Sequence, residues 1–229
     1  MFNQKAIVIL FINRNTFQLY GGGLTGIVTI EVPETVLHDG EVVSSDGAYT
    51  LIKQLAKQYP IAGSQLIIVL SDLMFFEKTF SPPAPATLEE DVLNFFNVVP
   101  FESLITKVYD IEKGKRAVAA NKNLYETLKQ GFALQGIPVK TLLPACVFGT
   151  MATKHALDAA LASEIMRNVD GYARQNLLDA QEQNFSTTPQ EQEETPAGTT
   201  KKKSQLPLLL GVFGVLVVIL VVVFLMQPH

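Results

Sequence analysis

Residues 5–12 read KAIVILFI, Lys5 to Ile12, and the architecture of the whole chain depends on how this run is taken. As the apolar stretch of a secretory signal it would be removed and leave an extracytoplasmic protein. As a strand it would sit at the centre of a sheet. The run is short for a signal, no small-residue cleavage site follows it, and Asn13-Arg14-Asn15 comes at once. A short continuous run rich in β-branched and aromatic residues defines instead a strand buried on both faces. Ser64 to Leu70 (SQLIIVL) has the same character.

Outward from that strand, Thr16 to Tyr20 reads as its hairpin partner. Gly21-Gly22-Gly23 forms the next turn, and Gly26 to Val32 (GIVTIEV), ended by Pro33, forms a third strand. His38-Asp39-Gly40-Glu41 is a turn, and Asp46 is placed to cap a helix over Ala48 to Gln58. In that helix Leu51, Ile52, Leu55 and Ala56 recur at helical spacing. Met74 to Phe80 (MFFEKTF) is a further extended segment, so residues 1–80 predict a mixed sheet with a helix packed on it.

A rigid connector, Ser81-Pro82-Pro83-Ala84-Pro85, opens a second block over 81–144. Thr87 and Glu90 have the spacing of a capping box for a helix reaching Asn97. Ser103 to Ile111 and Arg116 to Ala120 form a hairpin around Glu112-Lys113-Gly114-Lys115. A helix over Asn121 to Gln135 ends at Gly136, and Pro138 to Leu143 is a strand. The block reads α-β-β-α-β, giving an α/β (α+β) chain overall. Residues 145–183 are helical in pattern, through Met151, Leu157, Leu161, Ile165, Val169 and Leu177.

The chain then changes character. Residues 184–205 are polar and lack the large apolar groups needed to offset ordering entropy, so they read as a flexible tether with a reach of roughly 20–30 Å. Leu206 to Met226, LPLLLGVFGVLVVILVVVFLM, holds no charged residue. A bilayer core about 30 Å thick needs roughly 20 apolar helical residues, and this run matches that length. Lys201, Lys202 and Lys203 precede it and only Gln227-Pro228-His229 follows, which predicts a single span with the amino-terminal side in the cytoplasm of an inner membrane.

Charge and cysteine content exclude several classes. A formal charge of −4 over 229 residues gives no electrostatic footprint for nucleic acid. Cys146 is the sole cysteine, so no internal disulfide forms and no zinc signature exists. Gly21, Gly23 and Gly26 match G-x-G-x-x-G, but the phosphate-binding mechanism needs a helix next and a strand follows. Cys146 stands among apolar residues without a base on a shared face. His155 lies in the helical pattern, and His38 and His229 form no ligand cluster. Glu89, Glu90 and Asp91 read as helix-start charges rather than acid–base catalysts. The sequon Asn184-Phe185-Ser186 would never meet a glycosylating enzyme on a cytoplasmic tether. Gly211 and Gly214 are three apart rather than four, a poor dimerisation motif. No catalytic, cofactor or metal residue is assigned.

The order of parts points to a family. A strand and hairpin precede His38-Asp39-Gly40-Glu41-Val42 and a helix; LIIVL (Leu66 to Leu70) then leads into MFFEKTF. Afterwards come an acidic helix, Val99-Pro100-Phe101, a strand ending Ala119-Ala120, and a helix ending Gln135-Gly136-Ile137-Pro138. Over residues 5–150 this resembles the amino-terminal half of PilM-like and GspL-like actin-like proteins of type IV pilus and type II secretion assembly. The resemblance implies an actin-like (ribonuclease H-like) half-domain, with the second block as the inserted 1C-type subdomain. In that family the first hairpin carries an Asp and a Gly that cradle phosphate and metal. Here the stretch reads Leu10-Phe11-Ile12-Asn13-Arg14-Asn15-Thr16, with Phe11 about where the carboxylate belongs. Between Phe148 and the span there is no room for a second actin-like half. The expectation is a non-catalytic, membrane-tethered scaffold that binds inner-membrane pilus or secretion proteins, with self-association through the 145–183 helix or the span. The alternative is a membrane-anchored actin-like ATPase or another cytoplasm-facing enzyme.

Overall fold

The computed structural model describes residues 6–81, 85–152 and 155–179. The chain divides into two units, Met1–Asn184 and Phe185–His229, and the described residues all belong to the first. The tether, the Leu206 to Met226 span and its lysine flank lie outside the described residues. Among the described residues no helix is long and apolar enough to cross a membrane.

Three strands form the opening meander: β1 (Ile7–Asn13), β2 (Thr16–Gly21) and β3 (Val28–Glu31). Val8 to Ile12 are all 0 % exposed, which only a strand covered on both faces and both edges achieves. β1 accordingly lies between β2, antiparallel, and β6 (Gln65–Leu70), parallel. A minute hairpin, β4 (Leu37–His38) with β5 (Glu41–Val42), turns on Asp39 and Gly40 at φ 47° and 81°, the left-handed pair that two-residue hairpins require.

Helix α1 (Ser45–Gln58) is capped by Ser44, whose Oγ accepts from Gly47 N–H at 3.0 Å. The cap expected at Asp46 is therefore corrected: Asp46 already sits in the first turn, whereas Ser44 has the extended backbone a cap needs. The helix buries Ala48, Ile52 and Leu55 and stops at Tyr59, before Pro60.

The second half holds β7 (Phe75–Phe80), α2 (Pro85–Asn97), β8 (Leu104–Ile111), β9 (Gly114–Asn121), α3 (Lys122–Ala133) and β10 (Val139–Pro144). Two strands cross the boundary drawn at residue 80. β7, grouped on sequence with the first block, pairs with β9 in a three-stranded sheet of order β7-β9-β8. β10, grouped with the second, pairs in parallel with β6 and completes a five-stranded sheet of order β10-β6-β1-β2-β3. The reasons are geometric. The short turn after β6, with Met74 N–H on Ser71 O at 2.9 Å, sends β7 away from the first sheet, where Phe80 meets Val92 and Phe96 of α2. A parallel neighbour for β6 needs a long crossover, and α3 leads into it. α3 packs on α1 and takes Asn121 as its cap; Gly136, at φ 72°, turns the chain out of it. α2 begins at Pro85, two residues before the expected capping Thr87.

The single helical segment expected over 145–183 is broken in the structure. A 3-10 stretch, Ala145–Ala152, kinks at Gly149 (φ 57°, ψ −133°). α4 (Ala159–Arg167) starts afresh on Asp158, whose carboxylate accepts from Leu161 N–H at 2.8 Å. α5 (Val169–Tyr172) and single 3-10 turns at Ala173–Gln175 and Leu177–Asp179 follow. Leu157, Leu161, Ile165, Val169 and Leu177 are buried in the same core as β1 and β6. The apolar stripe offered for self-association over these residues is thus consumed within the fold.

Candidate functional site

In open α/β sheets, ligands gather at the carboxyl ends of the strands. At the end of β1 stands Asn13, and at the end of β6 stand Ser71 and Asp72. Asn13 Oδ1 accepts from Ser71 Oγ at 3.0 Å and from Arg14 N–H at 2.9 Å. Ser71, 0 % exposed, also donates its N–H to Ile12 O at 2.9 Å. Phe11, where the resemblance requires a carboxylate, is fully buried in the sheet core. Asn13 Oδ1 and Ser71 Oγ are thus bonded to one another, and the Asn13 amide brings no charge of its own.

Asp72 pairs instead with His155 Nδ1, both side chains being half-exposed. His155 holds a left-handed backbone at φ 50° just before α4. The pair joins the sheet end to the segment that covers it, assisted by Gln18 Oε1 accepting from Leu157 N–H at 2.7 Å. Among the described residues no three carboxylate, imidazole or thiol groups cluster to hold a metal.

The glycine triplet is likewise closed. Gly21 and Gly22 have φ of 94° and 62°. Gly22 N–H donates to Ile7 O at 2.9 Å and Gly23 N–H to Pro60 O at 3.3 Å, so these donors serve the chain's own carbonyls. β3, not a helix, comes next. Burial first, then the charge of Glu77, push the Cys146 thiol up to about 12 against the weaker opposing influence of Arg116, and so disfavour the reactive thiolate. His38 pairs with the adjacent Asp39 at 3.4 Å on the surface. Glu89, Glu90 and Asp91 are exposed and lie beyond the first turn of α2, so they form a solvated face rather than cap chemistry. His229 and Asn184-Phe185-Ser186 lie outside the described residues.

One constellation escaped sequence reading. Lys107 Nζ donates to Asn176 O at 2.7 Å and Arg174 O at 3.0 Å, and Tyr109 OH donates to Gln175 O at 2.9 Å. Three consecutive carbonyls are thereby held on β8. Asn176 Oδ1 accepts Leu142 N–H of β10 at 2.9 Å, so the same segment ties the two sheets together. Desolvation lowers the Lys107 pKa, partly opposed by Asp179, and burial raises that of Tyr109. A lone lysine and a lone tyrosine in an alternating strand carry no sequence signal for this clamp.

The described part of the chain is thus a mixed α/β unit, and solved structures similar to it include actin-like ATPase folds. No family model and no curated protein matches it. It is similar to a chain of the PilM-PilN type IV pilus biogenesis complex, at 15 % identity and a TM-score of 0.40, over 61 % of this chain and 46 % of that one. It is also similar to the cytoplasmic domain of EpsL, an inner-membrane component of the type II secretion system of Vibrio cholerae. There the identity is 10 %, the TM-score 0.38 and the coverage 62 % and 58 %. A Bacteroides thetaiotaomicron protein of unknown function with an actin-like ATPase fold gives 10 %, 0.36, and 62 % and 52 %. This chain spans about half the length of each.

Proposed function

We propose that this protein is a non-catalytic, membrane-tethered scaffold that works by protein–protein binding in an inner-membrane platform of the type IV pilus or type II secretion kind. The observation that carries the reading is the strand order. A three-stranded antiparallel meander continued by two strands parallel to its first, β3-β2-β1-β6-β10, supports the expected actin-like (ribonuclease H-like) half-domain. β7, α2, β8 and β9, inserted between β6 and α3, take the place of the 1C-type subdomain. This agrees with the order of parts through which the sequence resembles PilM-like and GspL-like proteins. The non-catalytic part of the reading is supported by Phe11, buried in the core where the resemblance expects a carboxylate, and by Asn13 accepting from Ser71.

In this reading Leu206 to Met226 anchors the chain in the inner membrane, and Lys201, Lys202 and Lys203 keep the folded unit on the cytoplasmic side. Affinity capture of the full-length chain from detergent-solubilised membranes of its own host tests the assignment. Pilus or secretion inner-membrane proteins should be enriched. Capture of unrelated soluble enzymes alone would overturn it.

A further inference from the structure

Among the described residues the two larger sheets have four edges: β10 and β3 on the first, β7 and β8 on the second. On β10, Leu142 N–H is taken by Asn176. β8 is half-buried along most of its length, and its Lys107 and Tyr109 side chains hold the carbonyls of Arg174, Gln175 and Asn176. β3 is only four residues long. β7 differs from all of these. It pairs on one side, with β9, over six residues, and Phe76, Glu77, Lys78 and Thr79 are all exposed. Such an edge presents unpaired N–H and C=O groups at alternate residues, a template for one more strand.

The side chains on this edge select what can add to it. Phe76 is 42 % exposed and rests edge-to-face on Phe101 at 5.4 Å, while Leu73, 39 % exposed, lies just ahead of the strand. Glu77 and Lys78 follow, pointing to opposite faces of the sheet; Glu77 pairs its charge with Arg116 of β9 at 3.7 Å, and Lys78 Nζ lies 5.2 Å from the centre of the Phe80 ring. Two copies of the chain joined edge to edge by a two-fold axis must centre their register on one residue. The two best-overlapping registers would set Glu77 against Glu77 or Lys78 against Lys78, and like charges directly opposite are destabilising. The edge resists its own copy while remaining open to a strand of complementary pattern.

We propose that the free edge of β7 takes an extended segment of a partner protein as a fourth strand, with an apolar residue opposite Phe76, a basic one opposite Glu77 and an acidic one opposite Lys78. Backbone hydrogen bonds along the ladder supply affinity, and these three consecutive side chains supply selection. The proposal deepens the scaffold reading, and rests on it only in taking the chain to act by binding. Failure to capture pilus or secretion proteins would refute that assignment and leave this edge untouched.

The test is fluorescence anisotropy on the full-length chain in detergent, with labelled peptides containing IRETV for parallel addition and the reversed VTERI for antiparallel addition. One order should bind saturably. Methylating one alternate set of its backbone amides should abolish binding, while methylating the other set should leave it intact. Lys78→Glu should weaken binding about fivefold, the effect of turning an attractive cross-strand pair repulsive, and replacing the peptide glutamate with lysine should restore it. Binding by neither order would overturn the proposal. So would binding indifferent to methylation and to Lys78→Glu, or pairing of two copies of the chain through β7.

Discussion

At the scale of single residues, Gly114 is the position with least tolerance. It has φ 129° at the β8–β9 turn, and a Cβ added there would stand 2.0 Å from the backbone oxygen of Phe80. Gly114→Ala should therefore destabilise the fold by about 2 kcal/mol or more in urea unfolding, since left-handed strain is compounded by a clash with immovable backbone. Gly63→Ala, at φ 75° with nothing within 4 Å, is the control and should cost only about 1 kcal/mol. Cys146 makes a pH prediction. Its folded-state pKa lies above its ordinary value of 9.0, so its contribution to stability is fully present below pH 9 and is lost as pH rises toward about 12. Cys146→Ser should flatten that part of a stability–pH curve. A steepening fall in the variant would contradict the burial of the thiol.

At the scale of elements, α1 shows how a cap is chosen. Ser44→Ala should cost about 1 kcal/mol and Asp46→Ala distinctly less, because only Ser44 satisfies a helix-start N–H. Equal losses, or a larger one at Asp46, would contradict the observed cap. The strands themselves were legible: KAIVILFI and SQLIIVL announce β1 and β6 because burial on both faces leaves no room for alternation. Partnership was less so. β7 pairs with a strand some forty residues on, Phe75 with Ala120, and β10 reaches β6 across an entire inserted block, so neither pairing leaves a local trace. The 145–179 stretch misled for a different reason. Leu157, Leu161, Ile165 and Val169 keep helical spacing across the start of α4 at Asp158 and the break at Asn168, which periodicity alone does not register.

At the scale of the whole molecule, the described unit combines a five-stranded sheet, a three-stranded sheet and a clamp made by Lys107, Tyr109 and Asn176 that ties their edges through one C-terminal segment. The rim where the resemblance would place phosphate was legible in part. Phe11, where the resemblance expects a carboxylate, stands plainly in the sequence, whereas the Asn13–Ser71 contact and the Asp72–His155 pair join residues 58 and 83 positions apart. The proposed scaffold role depends on that rim holding no nucleotide. Isothermal titration of magnesium-ATP into the full-length chain in detergent addresses it most directly. The account predicts no saturable heat, unchanged when magnesium is removed; saturable, magnesium-dependent ATP binding would contradict it.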